Sequence, residues 1–305
     1  MTEHNIIALD IGGSSVRGGI IDATDLSVRE FRAEDLDSYA DAESIISKLA
    51  AVIDLYRREA GDQGLIGIAL GFPGPFDYAQ GISLMKGGAA TDPGVSHTGG
   101  RSKFESLYRV NVREALGKKL SALDVPILFR NDAEAAIIGE AKFGSGQAFR
   151  RVIGVTLGTG LGSAFIADGQ VVLNNQAVPP NGWLYCMPFN GVQADQTFST
   201  RGLVRRLREA GVTTNDVQAA GDAARAGDVR SRTAFLDFGH ALGKFLTPYV
   251  SSFHAQAVLV LGGIANTFDL FQPAIASSVA IPVMAGTPEL HAALLGAAEL
   301  FMRNI

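Results

Sequence analysis

A chain of 305 residues with 47% hydrophobic and 19% charged residues is long enough for two domains, each large enough to bury a core. Its net charge of −5 with scattered basic residues argues against a nucleic-acid surface, no apolar run is long enough to span a membrane, and residues 1–5 are too polar for a signal peptide. The single cysteine, Cys186, excludes an internal disulfide and a multi-Cys zinc site, so a reducing cytoplasm is the expected setting.

In chain order, the apolar runs 6–10 and 16–21 flank a turn rich in Gly and hydroxyl residues and predict a β-hairpin. Residues 22–30 lead to a helix over 42–60, whose stripe is Ile45, Ile46, Leu49, Val52, Ile53 and Tyr56 and which Gly61 ends. A strand over 66–70 precedes the loop Phe72-Pro73-Gly74-Pro75-Phe76-Asp77. Residues 78–101 lack periodicity and read either as a flap over a ligand or as a plain surface loop, with Lys86 and His97 either touching substrate or solvated. A helix over 103–116 is expected to cross toward a second domain holding the apolar strand that ends at Asn131-Asp132.

That dipeptide is the most informative feature of the chain. An amide and a carboxylate where a strand gives way to a helix lie at the mouth of an α/β crevice. Helix-end N–H groups favour the ionised Asp, and an ionised Asp there can take a proton from a substrate hydroxyl. Simple helix capping is the plain alternative. Residues 152–166 then repeat the first hairpin around Leu157-Gly158-Thr159-Gly160, which suggests a duplicated core clamping one phosphate chain through backbone N–H groups. Leu261-Gly262-Gly263-Ile264 closes a buried strand and reads as a nucleotide-side loop or merely a turn. Helices are predicted over 200–210, 216–226 and 231–249, with Pro248 bending or ending the last. Thr287 is expected to cap a final Ala-rich helix with Pro288 at its first position.

Asp10-Ile11-Gly12-Gly13-Ser14-Ser15-Val16-Arg17 resembles DxGGTxxR, the first phosphate motif of the ROK sugar kinases, with Ser14 in place of Thr. Leu157-Gly158-Thr159-Gly160-Leu161-Gly162 is similar to their second phosphate loop, Asn131-Asp132-Ala133-Glu134-Ala135-Ala136 to their NDAxAA motif, and Pro73-Gly74-Pro75-Phe76-Asp77 to the PGPxD segment beside the sugar. Gly262 and Gly263 match the adenosine-side glycines, and the motifs occur in family order over nearly the whole chain. The resemblance implies an α/β fold of two actin-like (ribonuclease H-like) domains with an ATP cleft between them. The expected division is 1–118, 119–287 and a returning helix over 288–305, which places the catalytic Asp in the second domain. It implies Asp132 as catalytic base, with Asn131 and Gly74 at the sugar, and leaves Trp183 either at the sugar or packed into the core. Gly12, Gly13, Ser14, Gly158, Thr159 and Gly160 would cradle the phosphates of ATP, Asp10 would hold Mg2+ directly or through water, and Arg17 would offset phosphate charge. Homodimers are implied as well.

The chain also departs from that family. Where the family carries Gly-Glu-x-Gly-His, this chain reads Gly182-Trp183-Leu184-Tyr185-Cys186, which puts Trp183 at the Glu and Cys186 at the His, and Gln196 stands where a sugar-contacting Glu lies. The zinc-binding Cys cluster is missing, so no zinc site is expected. The expected activity is ATP-dependent phosphorylation of a hydroxyl of a sugar or sugar derivative, with plain glucose a poor acceptor. The alternative is a catalytically weak or inactive carbohydrate or nucleotide sensor. The first motif begins within ten residues of Met1, which leaves no room for a preceding helix-turn-helix.

Overall fold

Each Gly-rich turn closes an antiparallel hairpin, and each hairpin opens a five-stranded mixed sheet. The computed structural model describes residues 4–61, 64–86, 102–120 and 124–302. The chain divides into two compact units, Met1–Gly139 with His291–Ile305, and Glu140–Leu290.

In the first unit, β1 (Asn5–Ile11) and β2 (Ser15–Asp22) pair with Asp10 opposite Arg17, and β3 (Val28–Asp35) adds an antiparallel edge. Charged side chains cover most of β3, so it carries no apolar alternation and the sequence reading missed it. Helix α1 (Ala42–Ala60) starts where the Asp41 carboxylate accepts from Ser44 N at 2.9 Å, buries the expected stripe and stops at Gly61 with φ 72°. β4 (Leu65–Phe72) runs parallel to β1, and β5 (Phe76–Asp77) and β6 (Ile82–Ser83) form a small ribbon. The helix expected over 103–116 is shorter and later, α2 (Val112–Lys119). Phe104, left-handed at φ 57°, and a single 3₁₀ turn at Glu105–Leu107 precede it.

β7 (Ile127–Asn131) pairs parallel with β4, and α3 (Asp132–Phe143) follows it. This corrects the expected division after residue 118. Asn131 and Asp132 share a unit with Asp10, because Leu70 stands opposite Phe129 and β7 completes the sheet in the order β3-β2-β1-β4-β7.

The second unit repeats the plan. β8 (Arg151–Leu157), β9 (Leu161–Ala167) and β10 (Gln170–Val171) precede a ribbon of β11 (Pro188–Phe189) and β12 (Val192–Gln193). Then come α4 (Thr200–Glu209), α5 (Val217–Arg225), α6 (Val229–Phe253), β13 (Ala257–Leu261), α7 (Phe268–Ala276) and β14 (Val283–Ala285). The sheet order is β10-β9-β8-β13-β14, and β13 and β14 run parallel to β8. Phe198, Phe235, Phe238 and Phe245 fill the core beneath it. Pro248 does not end α6. Its missing N–H leaves a carbonyl at Lys244, one turn back on the exposed face, where water can satisfy it, and Phe253 beyond it still packs against Phe165 at 5.1 Å.

Thr287 does not cap the last helix either. Its backbone N–H and hydroxyl bond to the Glu140 carboxylate at 2.7 and 3.0 Å, and α8 (Ala292–Met302) begins only after Glu289 and His291, both at positive φ. α8 packs on β1 and β4. Glycines rather than alanines permit the closest approach to α3: a Cβ at Gly296 would lie 1.8 Å from the Ala135 carbonyl oxygen, and one at Gly139 1.9 Å from that of Ala292. Beside them Arg130 forms a buried ion pair with Glu299 at 2.8 Å and donates to the Gly296 carbonyl. Glu299→Ala leaves a buried guanidinium without this carboxylate, so a loss of roughly 3–5 kcal/mol is expected in a urea titration. A change below ~1 kcal/mol would mean that solvent reaches Arg130.

Candidate active site

Asp10 is the penultimate residue of β1, and the turn after the strand is held by Gly12 N donating to Ser15 O at 2.9 Å and by Leu36 N donating to Ser14 O at 3.1 Å. Ser14 is exposed, and Gly12 and Gly13 are partly so. Arg17 approaches Asp10 at 3.9 Å, but its side chain is 60% exposed, so the pair is weak. Burial, reinforced by the charge of Asp132, raises the Asp10 pKa to about 6, and Arg17 offsets only part of this. The two carboxylates therefore feel one another.

At the end of β7 the amide and the acid divide the work. Asn131 Oδ1 accepts from Glu134 N at 3.1 Å, so Asn131 is the residue that caps α3. Asp132 accepts instead from the next backbone N–H, Ala133, at 2.8 Å. The helix end was expected to favour the ionised Asp132. Burial prevails instead and raises its pKa, with the Ala133 N–H pulling the other way. A raised carboxylate suits a general base working near neutral pH.

Tyr78, which the sequence reading passed over, completes this corner. Its hydroxyl accepts from Asn131 Nδ2 at 3.0 Å and donates to the Phe72 carbonyl at 3.2 Å. Gly74 leaves room for it, since a Cβ there would stand 3.1 Å from Tyr78 Oη. Both ends of the Asn131 amide are thus engaged, one with α3 and one with Tyr78, although one amide hydrogen and spare lone pairs remain. Of the expected flap, residues 87–101, with His97, lie outside the described residues, and Lys86 is exposed.

In the second unit, Gly158 N donates to Gly160 O at 3.1 Å, while Thr159 and Gly160 are exposed. Two further residues unseen in the sequence brace this loop. Thr200 donates to the Gly158 carbonyl through N at 2.7 Å and Oγ1 at 2.9 Å, and buried Asp195 accepts from Leu161 N at 2.7 Å while pairing with Arg201. Gly262, at φ 87°, is glycine for a local reason: a Cβ would stand 2.5 Å from the Leu157 carbonyl oxygen. Gly263 opens a 3₁₀ turn over Gly263–Thr267, and nothing lies within 4 Å of where its Cβ would be.

Trp183 is not a core residue. Its side chain is 38% exposed and leans on Tyr185 at 5.7 Å. Ser163 fixes the backbone on both sides, donating to Gly182 O at 2.7 Å and accepting from Leu184 N at 2.9 Å. Cys186 and Gln196 are also exposed. Among the described residues, no group of three or more His, Cys, Asp or Glu side chains could hold a metal ion, and no helix is long and apolar enough to cross a membrane.

The sequence profile of the ROK family matches residues 6–301. The chain belongs to the ROK family. A glucokinase of Thermotoga maritima is 24% identical over 341 residues, covering 100% of this chain and 99% of that protein. An N-acetylgalactosamine kinase of Shewanella sp. strain ANA-3 is 23% identical over 278 residues, covering 86% and 82%. The fold matches the crystal structure of a ROK family glucokinase from Streptomyces griseus in complex with glucose and AMPPNP. That match has a TM-score of 0.74 and 22% identity, and covers 97% of this chain and 98% of that one. The two α/β units with matching sheets are therefore the two actin-like domains of the ROK sugar-kinase fold.

Asp195→Ala should cost roughly 1–3 kcal/mol, the penalty for leaving the buried Leu161 N–H unsatisfied, and should loosen the 158–160 loop. Faster amide exchange at 158–161 checks this, and unchanged exchange would show that Thr200 alone holds the loop.

Proposed function

We propose that this ROK protein is an ATP-dependent kinase that phosphorylates a hydroxyl of a sugar or sugar derivative. The observation that carries the reading is Asp132: Asn131 relieves it of capping, burial raises its pKa, and it shares a unit with the first phosphate turn. Mg2+-bound ATP, when present, supplies the electrophilic phosphoryl group. Asp10 fits Mg2+ as a hard oxygen donor whose high pKa a cation would lower. The N–H groups of Gly13 and Ser14 serve as phosphate donors in the first unit, and those of Thr159 and Gly160 in the second, while Gly12 and Gly158, expected as donors too, spend their N–H groups on holding the two turns. Arg17 adds a mobile positive charge, and Gly263 leaves open backbone for adenosine. Gly262, exposed beside it and kept glycine by the Leu157 backbone, would adjoin the adenosine as well.

Asp132 accepts the proton of the acceptor hydroxyl, and Asn131, fixed by Tyr78 and α3, presents its remaining amide hydrogen to the sugar. Gly74 keeps that corner open. Trp183 offers an exposed flat face in place of a hydrogen-bonding Glu, which suits the C–H side of a sugar ring. Plain glucose is expected to be a poor acceptor and a deoxy or acylated sugar a better one, because unpaired buried hydroxyls are costly. Acceptor-dependent ADP release across hexoses, amino sugars and N-acyl sugars tests the reading. Competition kinetics that rank glucose first, with Trp183→Ala unaffected, would remove Trp183 from the sugar site. The replacements at Trp183 and Cys186 favour the second reading, a sensor, which predicts tight nucleotide binding without ADP release for any acceptor.

A further inference from the structure

Lys103 belongs to none of the sequence motifs, yet its side chain lies across the first phosphate turn. A Cβ at Gly13 would stand 2.8 Å from Lys103 Nζ, 2.8 Å from Cδ and 2.9 Å from Cε. The absence of a side chain at Gly13 is what lets the lysine rest there.

The lysine is placed rather than loosely attached. Phe104, next in the chain, is 2% exposed and packs against Phe72 at 5.8 Å, and its backbone N donates to Ser38 O at 2.7 Å. Ser106 Oγ donates to Ala40 O at 2.7 Å, and Ser102 N donates to the Glu105 carboxylate at 2.9 Å. The segment holding Ser38 and Ala40 also contains Leu36, whose N–H holds the turn at Ser14. Turn and lysine are thus fastened to one stretch of backbone. Among the described residues no carboxylate pairs with Lys103. An uncompensated ammonium and a Gly-rich turn whose Gly13 and Ser14 N–H groups, unlike that of Gly12, are not spent on holding the turn form at one spot an anion site of two independent kinds of donor.

We infer that Lys103 binds the terminal phosphate of the nucleotide over Gly13, as a phosphate-binding residue additional to the motif positions. This rests on the kinase reading for the identity of the anion. The test is calorimetric binding of AMPPNP, ADP and adenosine, with Mg2+, to the wild-type protein, Lys103→Met and Lys103→Arg. Lys103→Met keeps the stem and removes the charge. It should weaken AMPPNP by about tenfold or more, the usual worth of a charge-assisted bond, and leave adenosine unchanged. Lys103→Arg should retain most of the affinity. AMPPNP binding by Lys103→Met equal to wild type, or an equal loss for adenosine, overturns the inference. If the wild type binds AMPPNP but phosphorylates no acceptor, the kinase reading fails and the comparison of variants still decides on Lys103. Wild type that binds no nucleotide overturns both.

Discussion

Asp132→Asn is expected to lower turnover by roughly 10²–10⁴-fold, the range that general-base catalysis supplies, with nucleotide affinity close to wild type. The substitution keeps the shape and the bond from Ala133 N but removes the proton acceptor. Asn131 still caps α3, so the helix start should survive, and melting curves check this. The raised pKa of Asp132 also sets the pH dependence. The base is inactive when protonated, so kcat/KM should fall on the acid side, with its limb above the ordinary carboxylate range. Turnover unchanged by Asp132→Asn with the true acceptor would eliminate Asp132 as the base.

Asp10→Asn is expected to act in opposite directions on stability and activity. The folded chain holds the Asp10 proton with a pKa of about 6, against 3.8 for the free side chain. Ionised Asp10 therefore opposes folding. The cost is absent below the unfolded value, grows as pH rises from there to about 6, and is complete above it. At neutral pH it amounts to roughly 3 kcal/mol. Asn carries no charge to desolvate and lies beyond the influence of Asp132, so the variant should melt higher than wild type at pH 7 without nucleotide, and the gap should close toward pH 4. Magnesium-dependent activity should be lost. A variant that melts lower at pH 7 would show that Asp10 is stabilising as the carboxylate, contrary to its burial.

Much of this was legible in local pattern. The hairpins around Gly12 and Gly158 and the stripe of α1 are short-range signals, and the chain folds as they indicate. The edge strand β3 was invisible because its side chains are charged on both faces. The partner of β7 was also invisible, since pairing of Leu70 with Phe129 spans a long intervening stretch with no periodic trace of the outcome. The same holds at the site. Asn131-Asp132 was readable as a chemical pair, but their division of labour was not, because capping depends on which side chain faces Glu134 N. Tyr78, Asp195, Thr200 and Lys103 act on residues far away in sequence, and nothing next to them marks it. The sequence pattern points to a ligand at Gly262 but hides the second reason for a glycine there, the close approach of the Leu157 backbone.

The first unit is discontinuous, opening with β1 and closing only with α8, whereas the second is one uninterrupted stretch, Glu140–Leu290. On the ribosome the second unit can finish while the first still lacks the helix that covers β1 and β4 and the carboxylate that neutralises Arg130. Asp10, Asn131 and Asp132 thus acquire their final surroundings only once α8 has been made. A chain halted before α8 would carry Asp10, Asn131 and Asp132 on a sheet left uncovered at β1 and β4, so these three residues are made well before the sheet that holds them is finished.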